Sequence, residues 1–304
     1  MNFLAAYIMR GRVQAMAVAS SLALLSLLFP PVSIVSSASV ALVTLRRGAT
    51  EGLYVLGCSS LVAGLLGWGL FGDFQFALLY VLALWLPVWL IGIILREGRQ
   101  LSVAVEIAVL LGALAVAGCY VFNPDISATW LTVFGRMMDP ANLPPDAPIA
   151  DFKHTAAIIS HYMTGIVATG SVFSLLFGLF LGRWWQANLY NPGGFKTEYL
   201  ALRMPTRFAA ASLLVIAAAQ ASSGVLSEAA WNISVLLLVL YGIVGTAVLH
   251  ALFAGMKLAR FTVPMLYITL FLIPHAILLA AVVGLADAWL NLRKHQSKHT
   301  TPKA

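Results

Sequence analysis

Nine apolar runs, at 14–29, 32–45, 52–71, 76–95, 101–121, 156–182, 208–222, 231–256 and 264–290, leave little of this 304-residue chain for anything but membrane-crossing helices. Only 10% of its residues are charged and 61% are hydrophobic. Soluble domains carry about a quarter charged residues, so this chain cannot cover a water-facing surface. Lipid is the solvent that fits it. A backbone in lipid must satisfy its own hydrogen bonds, which leaves helices or a closed barrel, and these unbroken runs lack the alternation of barrel strands. The expected fold is all-α, a polytopic transmembrane helix bundle with eight or nine membrane segments.

A crossing helix needs about 20 residues. The first, second and seventh runs are short, which predicts tilted, broken or re-entrant segments there. Pro30 and Pro31 part the first two runs and favour a helical hairpin over one kinked helix. Arg10 and Arg12 before the first run, with small residues at 36–41, imitate a signal peptide. An uncleaved first anchor is the preferred reading.

The charge pattern sets a topology. If all nine runs cross, Arg10, Arg12, Arg46, Arg47, Arg96, Arg99, the 183–207 segment, Lys257 and Arg260 share one side, which then holds 12 of the 18 basic residues. The positive-inside rule makes that side, and the N-terminus, cytoplasmic. The tail at 292–304, with Arg293, Lys294, Lys298 and Lys303, then falls outside, whereas eight crossings bring it inside and expel Lys257 and Arg260. The net charge of +7 comes from single or paired residues with no sustained basic stripe, so nucleic acid is not an expected partner. Cys58 and Cys119 each lie inside an apolar run and support neither a disulfide framework nor a zinc site.

Two connecting segments are long enough to hold structure. In the outer one, 122–154, Ile126, Trp130, Val133, Phe134 and Met137 keep helical spacing, and Pro140, Pro144, Pro145 and Pro148 follow. A short interfacial helix on a stiff tether is expected, lying on the membrane or closing over a cavity. The cytoplasmic one, 183–207, opens Arg183-Trp184-Trp185-Gln186-Ala187-Asn188-Leu189-Tyr190-Asn191-Pro192-Gly193-Gly194-Phe195. Trp184 and Trp185 suit an interfacial belt, Asn191 to Gly194 a turn. Phe195, Tyr199 and Leu202 then form the stripe of an amphipathic helix, with Lys196 and Arg203 placed for lipid phosphates or a partner.

An ionisable group inside a membrane helix costs about 2.5 to 3.5 kcal/mol on insertion scales, so each is a functional candidate. Glu106, His161, His250, His275 and Asp287 are the ones within the runs. Glu106, His161, His250 and His275, with Trp130 of the outer segment, are the expected ligand-binding set. His275 follows Pro274, and a proline kink competes with a ligand role there. Asp151, His154 and His161 share a helix face, but seven residues span about 10 Å, too far for two histidines to hold one metal. No HExxH, nucleophile-elbow or Walker motif occurs, so no catalytic residue and no cofactor is expected. Small residues recur at four-residue spacing at Ala15, Ala19 and Ala23, at Ala113 and Ala117, and at Ser174, Gly178 and Gly182. Such ridges serve close helix packing, and the first could also face another protein.

Three stretches carry a family likeness: Leu45-Arg46-Arg47-Gly48 with Glu51-Gly52; the run from Arg183 to Phe195; and Asp287-Ala288-Trp289-Leu290-Asn291-Leu292-Arg293. With these the chain resembles, over nearly its whole length, the YybS-like family of bacterial integral membrane proteins, whose activity is uncharacterised. That family is distantly similar to the substrate-binding S components of energy-coupling-factor transporters, which have six helices and an alanine ridge on the first that contacts a coupling subunit. The resemblance implies an S-component-like membrane core at 1–182, matches Ala15, Ala19 and Ala23 to the ridge, and favours a cytoplasmic end after Arg293. The membrane helices at 208–291 are an addition that S components lack. The expected function is non-enzymatic binding or transport of a small molecule in a bacterial cytoplasmic (inner) membrane. The alternative is a scaffold or regulatory protein that recruits another membrane or cytoplasmic protein through 183–207 and the basic tail.

Overall fold

The computed structural model describes residues 2–137 and 149–295, and among them every regular element is helical. The prolines of the expected tether, Pro140, Pro144, Pro145 and Pro148, and Lys298 and Lys303 of the tail lie outside the described residues. The chain divides into two compact units, residues 1–108 with 171–202, and 109–170 with 203–304.

The first unit holds α1 (Asn2–Arg10), α2 (Arg12–Leu25), α3 (Val32–Arg47), α4 (Ala49–Phe71), α5 (Gln75–Tyr80) and α6 (Leu86–Gly98). It also takes the start of α7 (Leu101–Phe122), the end of α10 (Met163–Tyr190) and α11 (Gly194–Leu200). The chain reverses between α2 and α3 at the double proline, and Arg47 Nη2 at the end of α3 donates to the Met9 carbonyl at 2.5 Å. Helix α3 is the core of this unit because its residues are small. Ser36, Ser37, Ala38, Val40 and Ala41 are fully buried. Ser36 Oγ donates to the Ala19 carbonyl at 2.7 Å and accepts from Trp85 Nε1 at 3.1 Å, which ties α2, α3 and the segment before α6 together. That segment, Val81–Trp85, is a π turn. Pro87 just beyond it lacks the N–H that a regular helix requires, and the ladder ahead of it widens.

The alanine ridge of α2 does not face outward. Ala15, Ala19 and Ala23 each have 0% exposure, packed within the unit where α2 meets α3 and α4. The ridge of the sixth run is also internal: a Cβ on Gly178 would stand 2.7 Å from Ser37 Cβ, and one on Gly182 2.8 Å from Ala41 Cβ. Small residues here let backbones approach, and the contact formed is used up inside the unit.

The second unit holds the rest of α7, α8 (Ile126–Met137), α9 (Ile149–Ser160), the start of α10, α12 (Thr206–Ala221), α13 (Gly224–Ala254), α14 (Ala259–Leu272) and α15 (Ala276–Leu290). Its axis is α13, 31 residues and so about 46 Å long, packed against α12 and α15. Gly245 and Gly284 form its closest crossing. A Cβ on Gly245 would overlap the Ala280 carbonyl, and one on Gly284 the Tyr241 carbonyl. Gly245→Val is expected to force the two helices apart and to lower stability by about 1–3 kcal/mol, read as a lowered denaturant midpoint in detergent.

The last apolar run is not one helix. It breaks at Ile273, whose backbone (φ −120°, ψ 85°) leaves the helical region, into pieces of 14 and 15 residues. The reason is Pro274, which pushes the residue before it out of the α region and offers no N–H to the preceding turn. Among the described residues, five helical segments are long and apolar enough to cross a membrane: Ala49–Leu70, Gln75–Gly98, Leu101–Phe122, Met163–Tyr190 and Gly224–Ala254. Their outward faces carry large apolar groups such as Leu65, Trp68, Leu82, Leu114 and Phe122. Surfaces of that kind belong in lipid, and mark this helical bundle as a membrane protein.

Candidate functional site

In the first unit a cavity of about 580 Å³ opens where the ends of α3, α6 and α10 meet α11. Four arginines line it, Arg46, Arg96, Arg99 and Arg183, with the carboxylates of Glu97 and Glu198. Each is placed by a helix end. Arg96 Nη1 donates to the Leu45 carbonyl at 2.9 Å, where the last turn of α3 has unpaired carbonyls and attracts a cation. α6 ends on Arg99, which takes a left-handed conformation (φ 52°). Helix α11 folds back on α10 through the turn at 191–193, where Gly193 supplies φ 86°. Phe195 and Tyr199 of α11 pack on Phe180, with ring centroids 5.9 Å and 6.1 Å away. That packing holds Glu198 against Arg183, whose Nε donates to Oε2 at 2.9 Å and whose Nη2 donates to Oε1.

The charges do not cancel. Glu198 is taken by Arg183, and Glu97 lies 3.6 Å from Arg96. The Arg46 guanidinium sits over the Tyr190 ring at 4.0 Å, and neither it nor Arg99 has a carboxylate partner among the described residues. Two positive charges therefore remain around a polar space at the end of an otherwise apolar unit.

The stretch expected as a loop from residue 183 is helical as far as Tyr190. Trp185 is completely buried and its Nε1 has no acceptor among the described residues, so it is not part of an interfacial belt. Trp184 and Asn188 are half-buried beside it, and Pro192 is exposed in the turn before Gly194. Arg203 is engaged within its own unit. Its Nε and Nη2 donate to the carbonyls of Asp287 and Ala288 at 3.0 and 2.8 Å, capping α15. Asp287, with 0% exposure, also pairs with Arg293 at 2.6 Å and accepts from the Leu292 N–H at 2.9 Å. The closing motif is thus a structural clasp, with Trp289 left exposed.

A second polar cluster lies in the second unit and is built on Asn232, fully buried in α13. Helix α9 ends at Ser160 and α10 starts at Met163. In one continuous helix the Gly165 N–H would bond the His161 carbonyl. The Asn232 amide stands in that gap: Oδ1 accepts from Gly165 N–H at 2.5 Å, and Nδ2 donates to the His161 carbonyl at 2.7 Å. Gly165 is needed for the approach, because a Cβ there would lie 2.5 Å from the Asn232 carbonyl oxygen. Around it, Asn232 Nδ2 lies 2.9 Å from Tyr120 Oη, Tyr120 donates to Glu228 at 3.1 Å, and His161 Nδ1 is 3.3 Å from the other Glu228 oxygen. Trp130 Nε1 donates to Thr164 Oγ1 at 2.8 Å.

The structure therefore brings His161 and Trp130 to one helix break, where both serve packing and hydrogen bonding. His250 lies elsewhere in this unit, 2.8 Å from Tyr267 Oη. His275 is exposed at the break after Ile273. Glu106 is half-buried in the first unit with no hydrogen-bond partner among the described residues. Asp151 and His154 are exposed, and among the described residues no three His, Cys, Asp or Glu side chains could hold a metal. Sequence reasoning missed Asn232 because it is not ionisable, and Glu228 because it stands just before the apolar run. Their four-residue spacing was the available signal. The arginines of the cavity were legible only as topology markers. Comparison with family models, with curated proteins and with solved structures finds no match to the chain.

Proposed function

We propose that this chain is a non-enzymatic integral membrane protein that binds a small polar molecule in the arginine-lined cavity of its first unit. The observation that carries the reading is a ligand-sized polar space holding two uncompensated guanidinium groups in a chain with so few charges. Transport of that molecule is the fuller form of the reading, drawn from the likeness to the YybS-like family and, through it, to S components. The buried Ala15, Ala19 and Ala23 argue against coupling to another subunit through that ridge. The setting that fits is a bacterial cytoplasmic membrane crossed eight or nine times, with the N-terminus and the cavity on the cytoplasmic side. In support, Arg12 bonds Glu51 and Arg47 bonds Met9, so the N-terminal basic residues gather at the end of α3. A scaffold role through 183–207 has less support, because Trp185 and Arg203 are already engaged within the protein.

Native mass spectrometry of the gently extracted protein tests this. The expected spectrum shows a retained small molecule that Gln186→Trp, which fills the cavity, removes without unfolding the chain. An apo protein carrying a stoichiometric protein subunit would overturn the reading in favour of a scaffold.

A further inference from the structure

We infer that the molecule in this cavity carries a phosphomonoester group, held between Arg46 and Arg99; the inference rests on the binding role just proposed.

Charge comes first. Arg183 and Arg96 have carboxylate neighbours, which leaves two positive charges, those of Arg46 and Arg99, for an occupant to balance. A carboxylate supplies one negative charge, and a phosphomonoester near neutral pH supplies about two. Geometry points the same way. The donors reach the space from three helix ends: Arg46 from α3, Arg99 from α6, and Arg183 with Gln186 from α10. A planar carboxylate meets donors in one plane, whereas a tetrahedral phosphate presents three oxygens in different directions. The guanidinium of Arg46 is already oriented by the Tyr190 ring, so less rotamer freedom is lost on binding. Leu45 and Leu95 give the space an apolar side for the rest of the ligand. The phosphate can belong to a soluble metabolite or to a lipid headgroup, since the cavity lies at a helix end where either arrives.

The test uses the full-length protein in phosphatidylcholine nanodiscs, with its unfolding temperature followed as each probe is added. The probes are inorganic phosphate, glycerol phosphate and succinate, and a parallel set of nanodiscs contains phosphatidate. A phosphate probe is expected to stabilise the protein where succinate does not. Arg46→Gln and Arg99→Gln should each weaken the response about tenfold, while Lys257→Gln, which does not line the cavity, should leave it unchanged. A response to glycerol phosphate assigns a soluble phosphomonoester; one confined to phosphatidate nanodiscs assigns a lipid headgroup. Arg99 is exposed, so its variant remains informative even if Arg46→Gln fails to fold. A response to phosphate that both variants leave intact overturns the inference. So does an arginine-dependent response to succinate alone, or a phosphate-free molecule retained in the native spectrum, and either of these leaves the binding role standing. No response to any probe, with no retained molecule, overturns both.

Discussion

Asn232→Leu is expected to destabilise the protein by about 3 kcal/mol, because it strands a buried backbone N–H and a part-buried backbone carbonyl, and an unpaired buried group costs about 1–3 kcal/mol. The leucine matches the amide in size, so the packing of α13 changes little. What is lost is the bridge from the Gly165 N–H to the His161 carbonyl across the break between α9 and α10. Water cannot easily replace it, since Asn232 has 0% exposure. Denaturant unfolding in detergent, followed by circular dichroism, reads the loss directly. Hydrogen exchange should show faster labelling at residues 163–166, the first turn of α10. Ser234→Ala is the control: among the described residues its hydroxyl bonds only to Ala230 of its own helix, so a change within about 0.5 kcal/mol is expected. A loss below about 1 kcal/mol for Asn232→Leu would mean that the amide does not carry the break.

The buried acid of the last helix should show a comparable effect. Asp287→Asn is expected to cost about 3–5 kcal/mol, the usual result of removing one member of a buried ion pair. The charge that loses this carboxylate is Arg293, whose side chain is 14% exposed and has Asp287 at 2.6 Å. Removing both charges should restore much of the loss. Asp287→Asn with Arg293→Met is therefore expected to be more stable than Asp287→Asn alone, and a double-mutant cycle should show coupling of about 1–3 kcal/mol. Arg203 is a different case. It bonds backbone carbonyls as well as lying 3.8 Å from the carboxylate, so Arg203→Met should weaken the end of α15 even in the Asp287→Asn background. Additive effects of Asp287→Asn and Arg293→Met would show that the pair is not coupled.

Much of the architecture was legible because apolar length and proline placement act locally. A run of sufficient length must be helical in lipid wherever it packs, and the double proline must reverse the chain whatever lies beside it. The break at Ile273 was less plain. Pro274 announced a disturbance, but whether a proline kinks a helix or ends it depends on what its neighbours supply. The reading of 183–190 as loop failed for a related reason. Arg183 and Gln186 look like solvent-facing residues in sequence, yet α11 folds back and its Glu198 takes the charge.

The sequence by itself determined the helical class and the fit to lipid, since each follows from composition and short-range pattern. Only the tertiary structure decided which polar groups are occupied. It placed Arg203 on the carbonyls of α15, buried the alanine ridge of α2, set Asn232 into a helix break, and left Arg46 and Arg99 without carboxylate partners among the described residues beside one cavity. A charge or amide takes its role from the group it faces, and in these cases that group lies far away along the chain.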